Sequence, residues 1–502
     1  MDCYARGLKL AADGRHLQAI EAFEQALAER PDDARTLFAL GNTARALGLA
    51  GPAEDFYRKV LALEPGRLEA LVNLANLLRA GGQFAAAEAV LAPALARHPE
   101  APELWLTLGS VYRETGEVER ARQHYREALA RRPGYAAAAV NLADIMADDG
   151  DYDGALALYD GALKSERDNA QARLNRAVLH LLRGDLKAGW RDYAARLKLP
   201  GKAPLAEHKL PRWNGAHLKR TRLLITAEQG VGDQLMFASM ILELTERAAA
   251  DGGRILLECE PRLKELFARS FPGAEVHPWE IESREGKIHA RYSWLKAAGG
   301  ANAAIEMGTL PRFLRNTLES FPTPHAYLKP DLAEQERWRA AFAHLPQPLT
   351  GICWRSGKAG GGRAVQYAPP DAWAAFLREI EGTPVSVQYD ATAEEIAALS
   401  AMSGRDIHLP QGIDQKNELD RTAALLAALD AVVSAPTAVS WLAAATGVPT
   451  CKVLYDTSWT GFGQAHEPFA PAAACIMPKA RGDWADVFAQ VKERIRSPSS
   501  AS

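Results

Sequence analysis

Apolar and small residues recur along the first part of the chain at a fixed interval of 34 positions. Proline closes successive copies of this pattern, at Pro31, Pro65, Pro99 and Pro133. Glycine stands near the middle of each copy, at Gly14, Gly48, Gly82, Gly116, Gly150 and Gly184. Such a unit is long enough for two helices that cannot bury their apolar faces alone. The pattern therefore predicts stacked helical repeats, with a glycine of positive φ ending the first helix of each pair.

One copy shows the pattern most fully, and its marker residues are Trp105, Leu108, Gly109, Tyr112, Gly116, Ala121, Tyr125, Ala128 and Pro133. This spacing resembles the tetratricopeptide repeat. The resemblance implies about six repeats that stack into a superhelix with a concave groove for a peptide. The sixth copy departs from the pattern after Gly184, and we expect it to be a cap that docks onto a following domain.

Polar residues follow one face of the first helix of each repeat. They are Asn42, Asn73, Asn76, Asn141 and Asn175, with Ser110 and Asp144 at equivalent positions. Residues three apart share a helix face, and an asparagine amide can bond both the C=O and the N–H of an extended peptide. The ladder resembles the asparagine ladder in the superhelix of protein O-GlcNAc transferase, which holds protein substrates. Two interpretations stay open, since the amides either contact a protein acceptor or bridge adjacent helices.

The periodicity changes after a proline-rich segment at residues 199–218. Short apolar runs then alternate with helical stretches, and the runs are 222–228, 254–260, 274–279, 350–356, 384–390, 406–410, 431–435 and 450–455. This alternation predicts two doubly wound parallel sheets, that is, two Rossmann-like lobes. The predicted domains are a repeat superhelix at 1–198, a linker at 199–218, a first lobe at 219–347, a second lobe at 348–496 and a disordered tail at 497–502.

Composition argues against several classes of protein. The net charge of −3 and the absence of a long basic run give no footprint for nucleic acid. The five cysteines are scattered without a CxxC pair, so neither a disulfide framework nor a zinc site is expected. The most apolar stretch is broken by Asp430 and Pro436 and does not suit a membrane span. We therefore expect a soluble, cytoplasmic protein without a metal or a resident cofactor.

Several motifs in the second part of the chain point together to one family. They are PRWNG (211–215), LLI (223–225), EQGVGD (228–233), GICWRSGK (351–358), LDAVVS (429–434), SWLA (440–443), GVP (447–449) and WTGFG (459–463). Together they resemble bacterial tetratricopeptide-repeat proteins fused to a glycosyltransferase-B (GT-B) fold of the heptosyltransferase-like kind. The resemblance implies an α + α/β protein in which a repeat superhelix precedes a metal-independent, inverting glycosyltransferase that uses a nucleotide sugar.

Asp233 is the candidate catalytic residue. Gly230 and Gly232 allow a sharp turn at the carboxyl end of a strand and present the N-terminus of the next helix. An inverting transferase needs a base for the acceptor hydroxyl, and the resemblance implies an aspartate at this motif in that role. The alternative is that Asp233 only caps the helix. We expect the helix N-terminus to keep its pKa low.

The candidate nucleotide-sugar residues follow strands of the second lobe. They are Arg355, Ser356, Lys358, Arg363, Gln388, Tyr389, Pro436, Thr437 and Ser440, with Gly230 and Gly232 of the first lobe. Cations and N–H groups at such loops stabilise a leaving phosphate. An exposed basic turn at 355–363 and ordinary turn residues elsewhere are the alternatives. Pro436 and Trp441 depart from the Asp-Thr pair and the His of the family pattern, which argues against an ADP-heptose donor.

The expected function is that of a protein O-glycosyltransferase of the flagellin glycosyltransferase type. The resemblance implies a CMP-activated nonulosonic acid as donor and Ser or Thr of a protein such as flagellin, held by the repeats, as acceptor. Two alternatives stay open: transfer to lipopolysaccharide or another glycan, and a non-enzymatic repeat scaffold with a degenerate transferase domain. No nucleic acid partner and no membrane insertion are expected.

Overall fold

The computed structural model describes residues 2–201, 203–284, 286–322, 326–357 and 366–496. The chain forms two compact units, Met1–Ala172 and Arg173–Ser502. The predicted boundary at residue 198 thus differs from this division, because most of the sixth repeat belongs to the second unit. Among the described helices, none is both long and apolar enough to cross a membrane.

The first unit is helical throughout its described residues. Its helices are α1 (Cys3–Ala12), α2 (His16–Glu29), α3 (Ala34–Ala46), α4 (Ala50–Leu63), α5 (Leu68–Ala80), α6 (Phe84–Arg97), α7 (Pro102–Glu114), α8 (Val118–Arg131), α9 (Ala136–Asp148) and α10 (Tyr152–Ser165). Consecutive helices pack as pairs, and each pair is one predicted repeat. The glycine between the two helices has a positive φ in every pair, for example 76° at Gly14 and 85° at Gly116, which confirms the predicted turns.

The small and large residues of the period fit each other inside a repeat. Tyr57 and Tyr125 occupy the same position in the second helices of their repeats, and both are buried. A Cβ added to Gly41 would lie 2.7 Å from the ring of Tyr57, and one added to Gly109 would lie 2.8 Å from that of Tyr125. The small residue of the first helix is therefore required so that the aromatic ring of the second can pack against its backbone.

The sixth repeat closes onto the core of the second unit. It consists of α11 (Ala170–Leu182) and α12 (Leu186–Tyr193), followed by a 3-10 helix at Ala194–Lys198. Trp190 of α12 is 2% exposed and makes edge contacts with Phe237, Phe462 and Phe469. These rings share one apolar cluster with the strands that follow. The predicted capping role of the last repeat is confirmed.

The second unit contains two parallel sheets and a small mixed one. The described strands are β1 (Leu205–Ala206), β2 (Arg222–Thr226), β3 (Arg254–Cys259), β4 (Ala274–Pro278), β5 (Glu280–Arg284), β6 (Lys287–Arg291), β7 (Ala303–Glu306), β8 (Leu349–Cys353), β9 (Thr383–Ser386), β10 (Ala431–Ser434), β11 (Thr450–Val453) and β12 (Ala473–Ile476). The order is β4-β3-β2-β7 in the first parallel sheet and β12-β11-β10-β8-β9 in the second. The mixed sheet has the order β1-β6-β5.

Helices connect and flank these strands. They are α13 (Val231–Ala238), α14 (Ile241–Asp251), α15 (Lys264–Ser270), α16 (Pro311–Leu314), α17 (Leu332–Phe342), α18 (Pro370–Glu379), α19 (Ala393–Ser403), α20 (Leu419–Leu426), α21 (Ala438–Ala445) and α22 (Trp484–Arg496). On β2, Leu223 and Ile225 join the main core, whereas Leu224 packs in a second cluster with Leu256 and Ala304. Both faces of the strand are buried, which explains its unbroken apolar run.

Four features differ from the predicted elements. The run at 406–410 does not form a strand and makes only a single bridge between His408 and Val385. The single helical stretch expected between the runs at 222–228 and 254–260 divides into α13 and α14. The hairpin of β5 and β6 was not predicted, because its largely exposed strands lack an apolar run. The short strands β7 (AAIE) and β12 (AACI) were also missed, since runs dominated by alanine have little strand propensity.

Candidate functional site

The predicted site residues of the second unit lie at the carboxyl ends of neighbouring strands. The strand order reverses between β2 and β7 in the first parallel sheet, and between β8 and β10 in the second. Ligands of doubly wound sheets bind outside such switch points. Asp233 follows β2, Arg355 and Ser356 follow β8, and Thr437 follows β10. Only the pair at 388–389 follows a more lateral strand, β9.

The two helices that begin at these switch points pack against each other. They are α13, which follows β2, and α21, which follows β10. A Cβ added to Gly232 would lie 3.6 Å from Cδ1 of Trp441 and 3.7 Å from the Cα of Ala438. The first turns of both helices therefore meet, and first-turn N–H groups carry the positive end of each helix dipole.

Asp233 is in the first turn of α13, beside this contact. Burial raises its pKa from 3.8 to about 6, and the neighbouring Glu228 carboxylate acts in the same direction. Arg196 and the backbone N–H groups of Gly230 and Asp233 itself act in the opposite direction. The prediction of a low pKa was wrong, because removal of the carboxylate from water outweighs the helix N-terminus.

The environment of Asp233 combines the two roles that the sequence left open. The N-cap of α13 is Gly230, which has no side chain to accept a hydrogen bond. The N–H of Gly230 instead interacts with the Asp233 carboxylate, as in one half of a capping box. A carboxylate with a pKa of about 6 is ionised at neutral pH and is more basic than an exposed aspartate.

Sequence reasoning missed a second buried carboxyl group beneath this turn. Glu258 on β3 is 0% exposed, and its Oε2 accepts a hydrogen bond of 3.0 Å from the N–H of Ala227. Burial raises its pKa to about 8, so the group is mostly neutral at pH 7. A charged residue inside the apolar strand RILLEC was the only signal that could have indicated it.

Arg355 is paired with two carboxylates in the loop after β8. Its Nε and Nη2 donate to the two carboxylate oxygens of Glu395 at 2.9 and 2.7 Å. Its Nη1 donates to Oδ1 of Asp390 at 2.9 Å. These carboxylates raise the pKa of the guanidinium. Its side chain therefore holds the loop after β8 against α19, and its contact with a phosphate stays a prediction.

Gln388 and Tyr389 organise the same loop. Oε1 of Gln388 accepts hydrogen bonds of 3.0 Å from the N–H groups of Trp354 and Arg355, and its Nε2 donates to the carbonyl of Arg355. The hydroxyl of Tyr389 accepts a hydrogen bond from the N–H of Gly357. The Gln388 side chain is buried, so its amide is used within the protein rather than turned towards a nucleotide.

The predicted site residues at the start of α21 differ in their hydrogen bonds and exposure. Thr437 is the N-cap, and its Oγ1 accepts a hydrogen bond from the N–H of Val439. The buried Ser440 hydroxyl donates to the carbonyl of Thr437 at 2.7 Å. Pro436 is exposed at the entrance to the helix. Ser356 is half-buried in the loop after β8, whereas Lys358 and Arg363 lie outside the described residues.

A buried ion pair below Trp441 was also missed. Nζ of Lys452 on β11 contacts Oε1 of Glu467, and it lies 4.8 Å from the centre of the Trp441 ring. Thr460 donates to the same carboxylate oxygen at 2.8 Å. This network ties the loop at 459–463, which carries the WTGFG motif, to the second parallel sheet.

The asparagine ladder of the first unit bridges neighbouring repeats. Nδ2 of Asn73 donates to Oδ1 of Asn42 at 2.9 Å, and the same oxygen accepts from the hydroxyl of Tyr57 at 2.8 Å. Asn141 makes the equivalent contact with Oγ of Ser110 at 3.5 Å. These contacts directly support the interpretation in which the amides link adjacent helices.

The other two ladder residues lie on the same helix face but have different surroundings. Oδ1 of Asn76 accepts a hydrogen bond of 3.4 Å from Arg79 on its own helix. Asn175 is half-buried on α11. All five asparagines are partly exposed, and a contact between their side chains and a peptide stays a prediction.

Within the described ranges, no group of three or more His, Cys, Asp or Glu residues is placed to hold a metal ion.

Comparison with known proteins identifies the repeats. A tetratricopeptide repeat family model matches residues 4–67, 72–136 and 140–204. The solved structure of MamA is 27% identical and covers 33% of this chain and 96% of its own, with a TM-score of 0.29. A tetratricopeptide-repeat protein of Thermus thermophilus is 29% identical and covers 36% of this chain and 97% of its own, with a TM-score of 0.32.

One curated relative matches beyond the repeats. Protein FlbA of Caulobacter vibrioides is 34% identical over 324 residues, which is 64% of this chain and 54% of FlbA. The chain therefore spans about half the length of this relative. Because 324 residues exceed the repeat region, the similarity extends into the part of the sequence that forms the sheets. The chain thus contains tetratricopeptide repeats between residues 4 and 204, is similar to FlbA, and forms parallel α/β sheets after its repeats.

Proposed function

We propose that this protein is a protein O-glycosyltransferase with a GT-B catalytic region, which transfers a sugar from a nucleotide donor to Ser or Thr of a protein held by its repeats. The observation that carries the proposal is the meeting of α13 and α21, each at the switch point of its own parallel sheet. Two helix N-termini at one place can hold the phosphates of a nucleotide sugar. Tetratricopeptide repeats bind protein partners, which accounts for the first unit.

Asp233 is the proposed general base. It takes the proton of the acceptor hydroxyl as that oxygen attacks the anomeric carbon and the bond to the nucleotide phosphate breaks. A base is most effective when its pKa lies near the working pH. Burial raises the pKa of Asp233 to about 6, which makes it a stronger base than an exposed aspartate while keeping it ionised at pH 7 to 8.

The leaving nucleotide is the proposed ligand of the α21 N-terminus. Developing phosphate charge is stabilised there by N–H groups and the helix dipole, without a metal. Because Arg355 is engaged by Asp390 and Glu395, we assign it to holding the loop rather than to the phosphate. Lys358 and Arg363 remain the predicted cationic contacts. A CMP-activated nonulosonic acid as donor and flagellin as acceptor rest on the family resemblance.

The second candidate is a non-enzymatic repeat scaffold. It is favoured by the internal hydrogen bonds of Arg355, Gln388 and Ser440, which use the polar groups that the resemblance assigned to the nucleotide. The two candidates differ in whether the second unit binds a nucleotide. A non-enzymatic scaffold needs no nucleotide, whereas a transferase must bind the nucleotide of its donor.

A thermal-shift screen with CMP, UDP, GDP and ADP tests the proposal. A nucleotide that binds only the folded protein raises its melting midpoint. The matched variants are Thr437→Val at the N-terminus of α21 and Thr446→Val at its C-terminal end. We expect one nucleotide to raise the midpoint of the wild type and of Thr446→Val, and to raise that of Thr437→Val much less. Equal shifts in both variants would place the nucleotide elsewhere, and no shift with any nucleotide would favour the scaffold.

A further inference from the structure

A buried arginine reaches the candidate site from the segment that follows the last repeat helix. Arg196 belongs to the 3-10 helix at Ala194–Lys198 and is 5% exposed. Its Nη2 and Nε lie 2.7 and 3.2 Å from Oε1 of Glu228, and its Nη2 also donates to Oγ1 of Thr309 at 3.0 Å. The guanidinium further lies over the ring of Tyr193, 4.7 Å from its centre. The side chain is thus fixed on several sides.

Glu228 is the centre of this network. Besides Arg196, its Oε1 accepts hydrogen bonds from Nε2 of Gln229 at 3.0 Å and from the N–H of Gly308 at 3.2 Å. A Cβ added to Gly308 would lie 2.6 Å from the same oxygen, so this close approach requires glycine. Glu228 begins the turn that leads through Gly230 into α13 and Asp233.

Tyr193 fixes the next residue of the turn. Its hydroxyl donates to Oε1 of Gln229 at 3.1 Å, and the carbonyl of Gln229 accepts from Nε2 of Gln234 at 2.9 Å. Two side chains from the end of the repeats, Tyr193 and Arg196, therefore hold successive residues of the loop that carries the candidate base.

We propose that Arg196 is a positioning residue for this site: it holds the Glu228–Gly230 turn and neutralises the buried Glu228 carboxylate beside Asp233. The proposal rests on the proposed function in so far as Asp233 is the base. It makes the segment Ala194–Lys198, which the sequence assigned to the repeat superhelix, a part of the site. The predicted linker at 199–218 thus begins directly after a segment on which the site depends.

The charges around Asp233 make the proposal testable. In the described part of the chain, the ionisable groups that act on it are Glu228, Arg196 and Tyr193. Of the helices packed against α13, α21 and the 3-10 helix at Met307–Thr309 carry no ionisable side chain, and the first-turn glutamate of α14 is paired with arginines. Loss of the Arg196 charge leaves the Glu228 carboxylate unopposed, which makes Asp233 harder to ionise. Loss of the Glu228 charge has the opposite effect.

The experiment is a pH titration of the full-length protein labelled with ¹³C at aspartate Cγ, with Asp233→Asn to assign the Asp233 signal. We expect the midpoint to move up by about one pH unit in Arg196→Gln and down by about one unit in Glu228→Gln. The double variant should return close to the wild type, and Arg196→Lys should lie between wild type and Arg196→Gln. Arg212→Gln, which removes the nearby Arg212–Glu306 pair, is the matched control and should leave the midpoint unchanged.

A purely structural role would move both single variants in the same direction, because each would loosen the same turn. Equal or same-signed shifts in folded variants would therefore overturn the proposal. If Arg196→Gln does not fold, the step from Glu228→Gln to the double variant removes the same charge and must raise the midpoint. The titration needs no turnover, so opposite shifts in a protein without transfer activity would uphold this inference while the proposed function fails.

Discussion

Replacement of Asp233 by asparagine should make the protein more stable at neutral pH. The carboxylate is held in a buried position at which its pKa is raised from 3.8 to about 6. A shift of about two units corresponds to about 3 kcal/mol of unfavourable free energy when the group is ionised in the folded state. Asparagine keeps the shape and one acceptor oxygen for the N–H of Gly230, but it carries no charge to desolvate.

The pH dependence gives the sign of the effect. Because the folded pKa lies above the unfolded one, the contribution of Asp233 to stability is most favourable below pH 4 and is lost as the pH rises through about 6. The stabilisation by Asp233→Asn should therefore grow by about 1.4 kcal/mol between pH 5 and pH 8. The same variant should lose about 10²–10⁴ in kcat if Asp233 is the general base.

Urea unfolding followed by tryptophan fluorescence measures this difference. All tryptophans except Trp105 lie after residue 172, so the signal reports on the second unit. Thr245→Val on the neighbouring helix α14, which removes a buried polar group that carries no charge, is the matched control and should show no such growth with pH. A variant that is less stable than the wild type at pH 8, or equally affected at both pH values, would contradict the desolvation of Asp233 and leave it as a helix cap.

Four further tests concern the fold and the reaction. Trp190→Ala should destabilise the second unit by about 3–5 kcal/mol in urea unfolding, since its ring is buried among aromatic neighbours, and Trp190→Phe should cost much less. Asn73→Ala combined with Asn141→Ala should lower the melting midpoint of the repeats, since each lost bridge is worth about 0.5–1.5 kcal/mol; an unchanged midpoint would argue against bridging. Glu258→Gln should stabilise the protein increasingly from pH 6 to pH 9, by on the order of 2 kcal/mol, because the pKa of Glu258 is raised to about 8; a pH-independent difference would contradict its burial as an acid. If transfer is metal-independent, EDTA should leave its rate unchanged, and a loss restored by Mg²⁺ would contradict that.

Much of the fold could be predicted because its signals are periodic. The glycine turns follow from one spacing, since a residue of positive φ such as Gly116 recurs at the same position in each repeat. The parallel strands of the sheet centres follow from unbroken apolar runs such as that of β2. The strands β5, β6 and β7 could not be found, since β5 and β6 lack an apolar run and β7 is a short run dominated by alanine.

The site was predicted less completely, and the reason is electrostatic. A sequence motif placed Asp233 at a helix N-terminus, but it did not show that burial and Glu228 would outweigh the helix dipole. It marked Arg355 as a cation after a strand but could not show Asp390 and Glu395 on either side of it. Arg196 was missed because it belongs to no motif and lies far in sequence from the turn that it holds.

Mass spectrometry of an intact acceptor protein tests the central claim most directly. Purified flagellin would be incubated with the full-length protein and one activated sugar in each reaction, with CMP-, UDP-, GDP- and ADP-sugars tested in parallel. The mass of flagellin would be measured before and after each reaction. The proposed function predicts that one donor increases the mass by whole sugar residues, and that Asp233→Asn, folded and able to bind the same nucleotide, abolishes the increase. An unchanged flagellin mass with every donor, or an equal increase with Asp233→Asn, would contradict the account.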